Sequence, residues 1–342
     1  MDLSQDSGTS VRPTEPTRYN GFDWLRGFAV LFIISVHLSV RTAPSWTRIS
    51  FIGSQTAVEL FAATSGFLLA VLLDKSRGKS IAGLVAHRAR RLLPSFLAWT
   101  FVYLAALAFL DRAFGVPPGY LAGITPRFLV KAFFRGAAEI HLWFVPSLFI
   151  ASAVLIAADR LLRPPLNGNW VYLAGGAAIG LAGNCIGSNF ASHDVRLLGW
   201  AMFGLGLSRI VRGADASAAL RRIRKCAAAA LVPALALCVL AQGTPLWHLA
   251  DFVVASMLLL ALSAPSIPGS RIASFLSRTS LDVYYFHLLV ARALSVAIRA
   301  KRLEPLDMCG SLCLWISVWL ASLAFAALIG YARSRLSRRP PA

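Results

Sequence analysis

The sequence predicts an all-α polytopic membrane protein, with about ten transmembrane helices in one bundle and both termini in the cytoplasm. Of the 342 residues, 57% are hydrophobic and only 14% are charged, and the mean hydropathy is +0.65. Soluble domains contain roughly 45–50% apolar and 25% charged residues. The composition therefore argues against a soluble enzyme, a disordered protein and a disulfide scaffold.

Ten apolar stretches follow one another along the chain. A helix needs about 20 residues to cross a bilayer, and the sixth and seventh stretches are the shortest of the ten. Backbone polar groups find no water in lipid, so each stretch is predicted to be helical. The stretches cover about 22–40, 56–73, 94–110, 141–158, 169–187, 196–211, 226–241, 246–264, 281–299 and 311–331.

Basic residues predict the orientation of these stretches. The chain has 34 Lys and Arg against 15 Asp and Glu, a net charge of +19. With the N-terminus in the cytoplasm, 22 basic residues fall in cytoplasmic segments and 10 on the opposite side, as expected for a membrane protein. The excess charge therefore indicates topology, and no nucleic-acid partner is predicted.

The chain is expected to have three parts. Residues 1–20 are predicted to be a disordered cytoplasmic N-terminus, residues 21–332 a membrane domain and residues 333–342 a basic cytoplasmic tail. The longest external connection, about 111–139, is the candidate for a lid. The five cysteines lack partners at ligand spacing, so neither a disulfide framework nor a metal site is predicted.

The first apolar stretch contains three ionisable residues, which are costly in lipid unless they are paired or hydrated. Asp23 and Arg26 are three residues apart and can pair on one helical face. His37 follows Arg26 by eleven residues, or three turns, so both project from the same side about 16 Å apart. Alternatively, Arg26 reaches the inner interface and His37 lies among the outer headgroups.

The second stretch adds polar groups at two depths. Glu59 lies near its outer end, close in depth to His37, and Ser65 and Gly66 interrupt the apolar run near mid-membrane. A Ser-Gly pair is also typical of a helix contact or a kink.

A basic run precedes the third stretch. Arg88 and Arg91 share one helix face, with Arg90 between them. Such a run can anchor the topology, or it can bind the phosphates of a cytosolic cosubstrate, because guanidinium groups match phosphate oxygens.

Two segments combine histidine with aromatic residues. His141 and Trp143 open the fourth stretch, where Trp143 can be an ordinary interface aromatic. Tyr284 and His287 lie in the ninth stretch, with His287 expected about a third of the way in from the inner side. Histidines of this kind are also found as hydrogen-bonded core residues. Arg292 and Asp251 are also intramembrane and could pair with each other.

Taken together, these segments resemble the membrane-bound acyltransferase 3 family, whose members O-acylate bacterial surface glycans and other extracytoplasmic acceptors. The resemblance covers roughly residues 19–331. A second aromatic residue is frequent in the family where this chain has Ala62. Five patterns carry the resemblance, in order: Arg26 with His37; Phe61, Ser65, Gly66 and Phe67; Arg88 with Arg91; His141 to Phe144; and Ser280, Tyr284 and His287.

The resemblance implies a multi-pass enzyme of the bacterial inner membrane that uses acyl-CoA, with acetyl-CoA as the expected cosubstrate. Arg88, Arg90 and Arg91, together with Ser65 and Gly66, are expected to form the coenzyme A site. His37 would be a general base or a transient acyl carrier, and Arg26 would stabilise thioester or oxyanion charge. Asp23 would orient Arg26, and Glu59 would orient His37.

The remaining four residues, His141, Trp143, Tyr284 and His287, are expected either to bind substrate or to support the structure. The expected partners are membrane lipid, acyl-CoA and a glycan acceptor, a surface polysaccharide or its oligosaccharide precursor. Association into a homo-oligomer is left open. The competing interpretations are a transporter of a small solute or glycan, and an assembly subunit without catalysis.

Overall fold

The computed structural model describes residues 19–38, 44–115, 119–139, 141–162, 169–186, 190–214, 218–241, 244, 246–264, 267–300 and 307–337. These residues form helices and connecting turns and contain no β-strand. The predicted disorder of residues 1–18 and the end of the basic tail, 338–342, lie outside the described residues. The helices are α1 Gly21–His37, α2 Pro44–Lys75, α3 Ile81–Phe114, α4 Pro126–Arg135, α5 Phe144–Leu162, α6 Asn169–Cys185, α7 Phe190–Ala214, α8 Ala218–Ala241, α9 Trp247–Leu262, α10 Arg271–Ala300 and α11 Met308–Ser337.

Each of the ten predicted apolar stretches overlaps one of these helices. Helix α4 overlaps none of the stretches. Within the described residues, six helices are long and apolar enough to cross a membrane. They support a multi-pass membrane protein, whereas the count of ten spans and the position of the termini stay predictions. The six are Thr56–Lys75, Ile81–Phe114, Phe144–Leu162, Ala218–Ala241, Arg271–Ile298 and Cys309–Arg333.

Apolar side chains cover the outside of several helices as well as the core. Leu240 and Val232 on α8 are 80% and 74% exposed, whereas Phe67 and Tyr285 are fully buried. An apolar exterior of this kind is costly in water and favourable in lipid. The exposed residues therefore agree with the membrane class indicated by composition.

The connection between α3 and α5 is partly helical. A 3-10 turn at Leu121–Gly123 precedes α4. The Thr125 hydroxyl caps the N-terminus of α4 by accepting a bond from the Phe128 N–H, and Gly136, at φ 74°, ends the helix. The segment predicted as a lid therefore contains a capped helix that packs beside α3 and α5.

Helices α2 and α7 pack so closely that their backbones touch at two glycines. A Cβ atom on Gly66 would lie 1.8 Å from the carbonyl oxygen of Ala201, and one on Gly204 would lie 1.9 Å from that of Ala63. Only glycine fits at such a crossing, as in other membrane helix pairs. Gly66 is therefore a helix-contact residue, one of the two alternatives given for the Ser-Gly pair, and its place in the coenzyme A site stays a prediction.

We predict that Gly66→Ala lowers the thermal stability of the purified protein. Because the added methyl group meets backbone rather than a flexible side chain, α2 and α7 must separate, at a cost of about 1–3 kcal/mol. Gly330→Ala on α11 is the matched control, since nothing lies within 4 Å of its added Cβ. Equal melting temperatures of the two variants in detergent would contradict the close packing.

Candidate active site

Three histidines from distant parts of the chain meet inside the bundle. His37 is the last residue of α1, His141 lies in the turn before α5 and His287 lies midway along α10. The ring centroids are 5.3 Å apart for His37 and His287, 5.1 Å for His141 and His287, and 6.0 Å for His37 and His141. These residues are called the histidine cluster below.

His287 lies near the middle of its helix. Helix α10 begins at Arg271, about ten residues before the predicted stretch, so His287 is near the helix midpoint. Its ring also lies beside His37 at the end of α1. Its expected depth in the membrane, about a third of the way in from the inner side, stays a prediction.

The two deepest imidazoles have unused nitrogen atoms. The Nδ1 of His287 lies 2.7 Å from the Tyr284 carbonyl oxygen, so it carries the proton and donates to that carbonyl. Within the described part of the chain, Nε2 of His287 and both ring nitrogens of His141 are buried without a hydrogen-bond partner. Buried polar atoms are usually paired. The histidine cluster therefore presents three nitrogen atoms that a bound polar molecule could satisfy.

Tyrosines on α3 and α10 hold the histidine cluster in place. The Tyr284 hydroxyl donates to the His141 carbonyl oxygen, which ties the turn before α5 to α10. The Tyr103 hydroxyl donates to the Tyr285 carbonyl oxygen at 2.6 Å, and its ring centroid lies 5.1 Å from that of His141. Tyr284 therefore has a supporting role, and Tyr103 is a contributor that the sequence interpretation missed.

An ion pair borders the histidine cluster. Arg292 Nη2 lies 3.2 Å from Glu139 Oε1, and the Glu139 carboxylate is buried. Arg292 interacts electrostatically with His37 and His141. The suggested pairing of Arg292 with Asp251 is wrong, because Glu139, outside the predicted stretches, supplies the carboxylate.

Three arginines gather at the other end of α1. Arg26 interacts electrostatically with Arg91 and with Asp23, and Arg91 also interacts with Arg88. These residues are called the arginine group below. The predicted association of Asp23 with Arg26 is thus present electrostatically, and Asp23 also accepts a hydrogen bond from Ser274 Oγ at 3.2 Å.

Arg88 is a buried member of this group. Its Nη2 donates to Ser65 Oγ at 2.8 Å and to Ser152 Oγ at 3.0 Å, while its Nε has no partner among the described residues. Arg91 and Arg90 are exposed. Ser65 therefore supports Arg88, and its own place in the coenzyme A site stays a prediction.

Glu59 has partners other than the expected one. Its Oε1 accepts a hydrogen bond from Asn184 Nδ2 at 3.1 Å. Its carboxyl group also interacts with Asp251 and Arg196, and Asp251 accepts a hydrogen bond from Thr56. The expectation that Glu59 orients His37 is corrected, since the partners of Glu59 lie on α6, α7 and α9.

Trp143 belongs to a separate aromatic contact. Its ring stacks on His193 of α7, with centroids 4.1 Å apart and planes 19° apart. The Arg196 guanidinium lies 5.9 Å from the centroid of the same ring. Trp143 therefore links the turn before α5 to α7, and its position two residues after His141 places this contact next to the histidine cluster.

The helices and the site together define a multi-pass membrane protein with a polar centre enclosed by helices. The family model described as "Acyltransferase domain" matches residues 19–332, more than nine-tenths of the chain. The chain belongs to the acyltransferase 3 family and is a membrane acyltransferase. No curated protein and no solved structure matches it. Among the residues that the structure describes, no group of His, Cys, Asp and Glu side chains is arranged to hold a metal.

We predict that Tyr284→Phe lowers acyltransferase turnover much more than it lowers stability. Losing one buried hydrogen bond costs about 0.5–1.5 kcal/mol, which the fold should survive. Displacing a catalytic group by 1 Å can reduce the rate about 100-fold. Turnover and melting temperature should be measured together, with Tyr331→Phe at an exposed position as the control. Unchanged turnover in Tyr284→Phe would contradict the supporting role.

Proposed function

We propose that the protein transfers an acyl group, acetyl in the simplest case, from cytoplasmic acyl-CoA to a hydroxyl of an extracytoplasmic glycan. The acceptor class is a surface polysaccharide or its oligosaccharide precursor, and the membrane is the bacterial inner membrane. One observation carries the proposal: the arginine group and the histidine cluster lie at opposite ends of the same helix, α1.

The separation of the two sites follows from helix geometry. Arg26 and His37 are eleven residues apart in one uninterrupted helix, which corresponds to about 16 Å along its axis. Arg26 cannot touch a carbonyl that reacts beside His37, so the oxyanion role expected for Arg26 is replaced by a role in donor binding. A donor with phosphates at one end and a thioester at the end of a long arm suits two sites separated in this way.

The arginine group has the chemistry of a phosphate site. Arg91 interacts electrostatically with both Arg26 and Arg88, and the Asp23 carboxylate interacts with Arg26. Guanidinium groups bind phosphate oxygens through paired, charge-assisted hydrogen bonds. Arg91 is exposed where a soluble donor can reach it, and Arg88 is fixed behind it by two serine hydroxyls.

The histidine cluster has the chemistry of acyl transfer to a hydroxyl. In this proposal the His37 imidazole takes the proton of the acceptor hydroxyl while the hydroxyl oxygen attacks the thioester carbonyl. The new C–O bond forms, the C–S bond breaks, and the leaving thiolate takes the proton from His37. A neutral imidazole suits this task because its unprotonated ring nitrogen can accept the hydroxyl proton.

His141 and His287 complete the cluster. The N–H of His141 can donate to the oxyanion that forms at the thioester carbonyl, since its ring nitrogens have no partner in the described structure. His287 uses Nδ1–H on the Tyr284 carbonyl and keeps Nε2 as an acceptor. A sugar, which is rich in hydroxyl donors, can satisfy that acceptor.

We predict that His37→Ala strongly reduces acetylation of the glycan. Loss of a general base reduces the rate roughly 10²- to 10⁴-fold, and binding of acetyl-CoA should persist because the arginine group is untouched. Arg26→Ala should instead weaken acetyl-CoA binding. Label transfer from acetyl-CoA in membranes with confirmed expression measures both effects, with His248→Ala, outside the cluster, as the control. Near-normal transfer in both variants would contradict the mechanism.

We predict that Arg91→Ala raises the KM for acetyl-CoA while kcat stays close to that of the unchanged protein. Arg91 is exposed, so the substitution removes a phosphate contact without disturbing the core. One charge-assisted hydrogen bond contributes about 1.5–3 kcal/mol, which corresponds to roughly a tenfold rise or more. Arg222→Ala, another exposed arginine, is the control. An unchanged KM would leave Arg91 as a topology anchor only.

A further inference from the structure

A polar cavity lies between the ends of five helices, α2, α3, α5, α6 and α7. Its volume is about 890 Å³, within the range of roughly 300–1,000 Å³ that is usual for small-molecule sites. Charged and polar side chains predominate in its lining, although the same helices carry apolar residues on their outward faces. Such a lining suits a small polar or charged group.

The cavity is separate from the arginine group. Arg26, Arg88 and Arg91 do not line it. A packed cluster of buried apolar side chains, including Leu84 and Ile156, fills the space between the cavity and Arg88. The cavity is therefore not an extension of the proposed donor site, and its ligand must be a different molecule.

The lining of the cavity has an excess of positive charge. Five basic residues and two acidic residues line it. The Asp159 carboxylate lies 2.8 Å from Arg209, and the Asp74 carboxylate lies 2.5 Å from Arg212, so the two acids balance two of the arginines. Three cations of the lining have no carboxylate partner in the described part of the chain: Arg77, Lys79 and Arg160.

These three cations gather at one turn. Arg77 and Lys79 are exposed in the turn between α2 and α3. Arg160 comes from α5, but its Nη2 donates to the Ser76 carbonyl oxygen at 2.6 Å, which fixes the guanidinium against the same turn. Its Nε is buried and has no partner among the residues described. Because guanidinium and ammonium groups bind phosphate oxygens, the turn is suited to a phosphate ester.

The depth of the cavity matches that of lipid headgroups. The candidate spans Thr56–Lys75 and Phe144–Leu162 end beside it, and the span Ile81–Phe114 begins there. Spans end where the hydrocarbon core meets the headgroup region. In the predicted orientation this is the cytoplasmic side, where basic pockets between membrane helices bind anionic headgroups.

Exposed apolar residues adjoin the polar lining. Leu161 and Leu162 directly follow Arg160 on α5, and Trp170 directly follows Asn169 on α6. Tryptophan is also the residue that is enriched at membrane interfaces. A ligand with an anionic head and apolar chains would use both the cavity and this rim, whereas a free phosphate would leave the rim unused.

We propose that this cavity binds the headgroup of an anionic phospholipid of the surrounding membrane. The phosphodiester oxygens contact Arg77, Lys79 and Arg160, and the acyl chains lie along the exposed apolar ends of α5 and α6. The bound lipid thereby links the turn between α2 and α3 to α5. This site does not depend on the proposed acyl transfer, because the apolar cluster keeps the lipid and the donor apart.

The test measures phospholipid binding to the full-length protein by native mass spectrometry in an uncharged detergent. The first phosphatidylglycerol should bind roughly tenfold or more tightly than phosphatidylcholine with the same acyl chains. The double variant Arg77→Ala, Lys79→Ala should lose roughly tenfold or more in affinity for phosphatidylglycerol. Its affinity for phosphatidylcholine should be unchanged, which also reports that the variant is folded.

The matched control is Lys75→Ala, Arg222→Ala, which removes two exposed cations that do not line the cavity and should change neither affinity. Equal losses in the two double variants would contradict the proposal, because binding would then follow net charge alone. Equal affinities of the unchanged protein for the two lipids would also contradict it. If water-soluble glycerophosphoglycerol binds as tightly as the lipid, the site is for a soluble phosphate ester. If acetyl-CoA displaces the lipid, the cavity belongs to the donor site.

Discussion

The register of helix α1 is the constraint on which the proposed mechanism depends. An uninterrupted helix fixes Arg26 and His37 on one side and about 16 Å apart. Residues from neighbouring elements then complete the proposed site at each end of α1. Helix α3 brings Arg88 and Arg91 to Arg26, and α10 with the turn before α5 brings His287 and His141 to His37. In the proposed mechanism, donor recognition and chemistry are thereby separated along one rigid helix.

The cost of burying polar atoms in an apolar bundle explains why hydrogen bonds fix the residues around the two sites. A buried polar group is costly unless it is hydrogen-bonded, and most groups near the site are bonded: the Tyr103 and Tyr284 hydroxyls to backbone carbonyls, and Arg88 to two serines. Buried atoms without a hydrogen-bond partner among the described residues include ring nitrogens of the histidine cluster and Nε of Arg88, and also atoms elsewhere in the bundle, such as Oε2 of Glu59 and Nε1 of Trp200. At the two sites, such atoms are available to a bound substrate.

Much of the fold could be predicted from sequence, because the cost of exposing backbone to lipid makes long apolar stretches helical. Ionisable side chains are also costly in lipid, and for that reason Arg26 and His37 could be singled out from the sequence. Long-range pairing could not be predicted, because local periodicity carries no information about which distant helices meet. Glu59 contacts Asn184, 125 residues away, and Arg292 pairs with Glu139, 153 residues away. A helix contact at Gly66 was foreseen as an alternative, but its partner α7 could not be predicted for the same reason.

The central claim is that donor and acceptor are handled at opposite ends of the bundle. It is tested most directly in sealed proteoliposomes of known protein orientation, with labelled acetyl-CoA on one side and the glycan acceptor enclosed on the other. The account predicts labelled glycan in the compartment opposite the donor, and only when the donor faces the Arg91 side. Labelled glycan formed only when donor and acceptor share one compartment would contradict it.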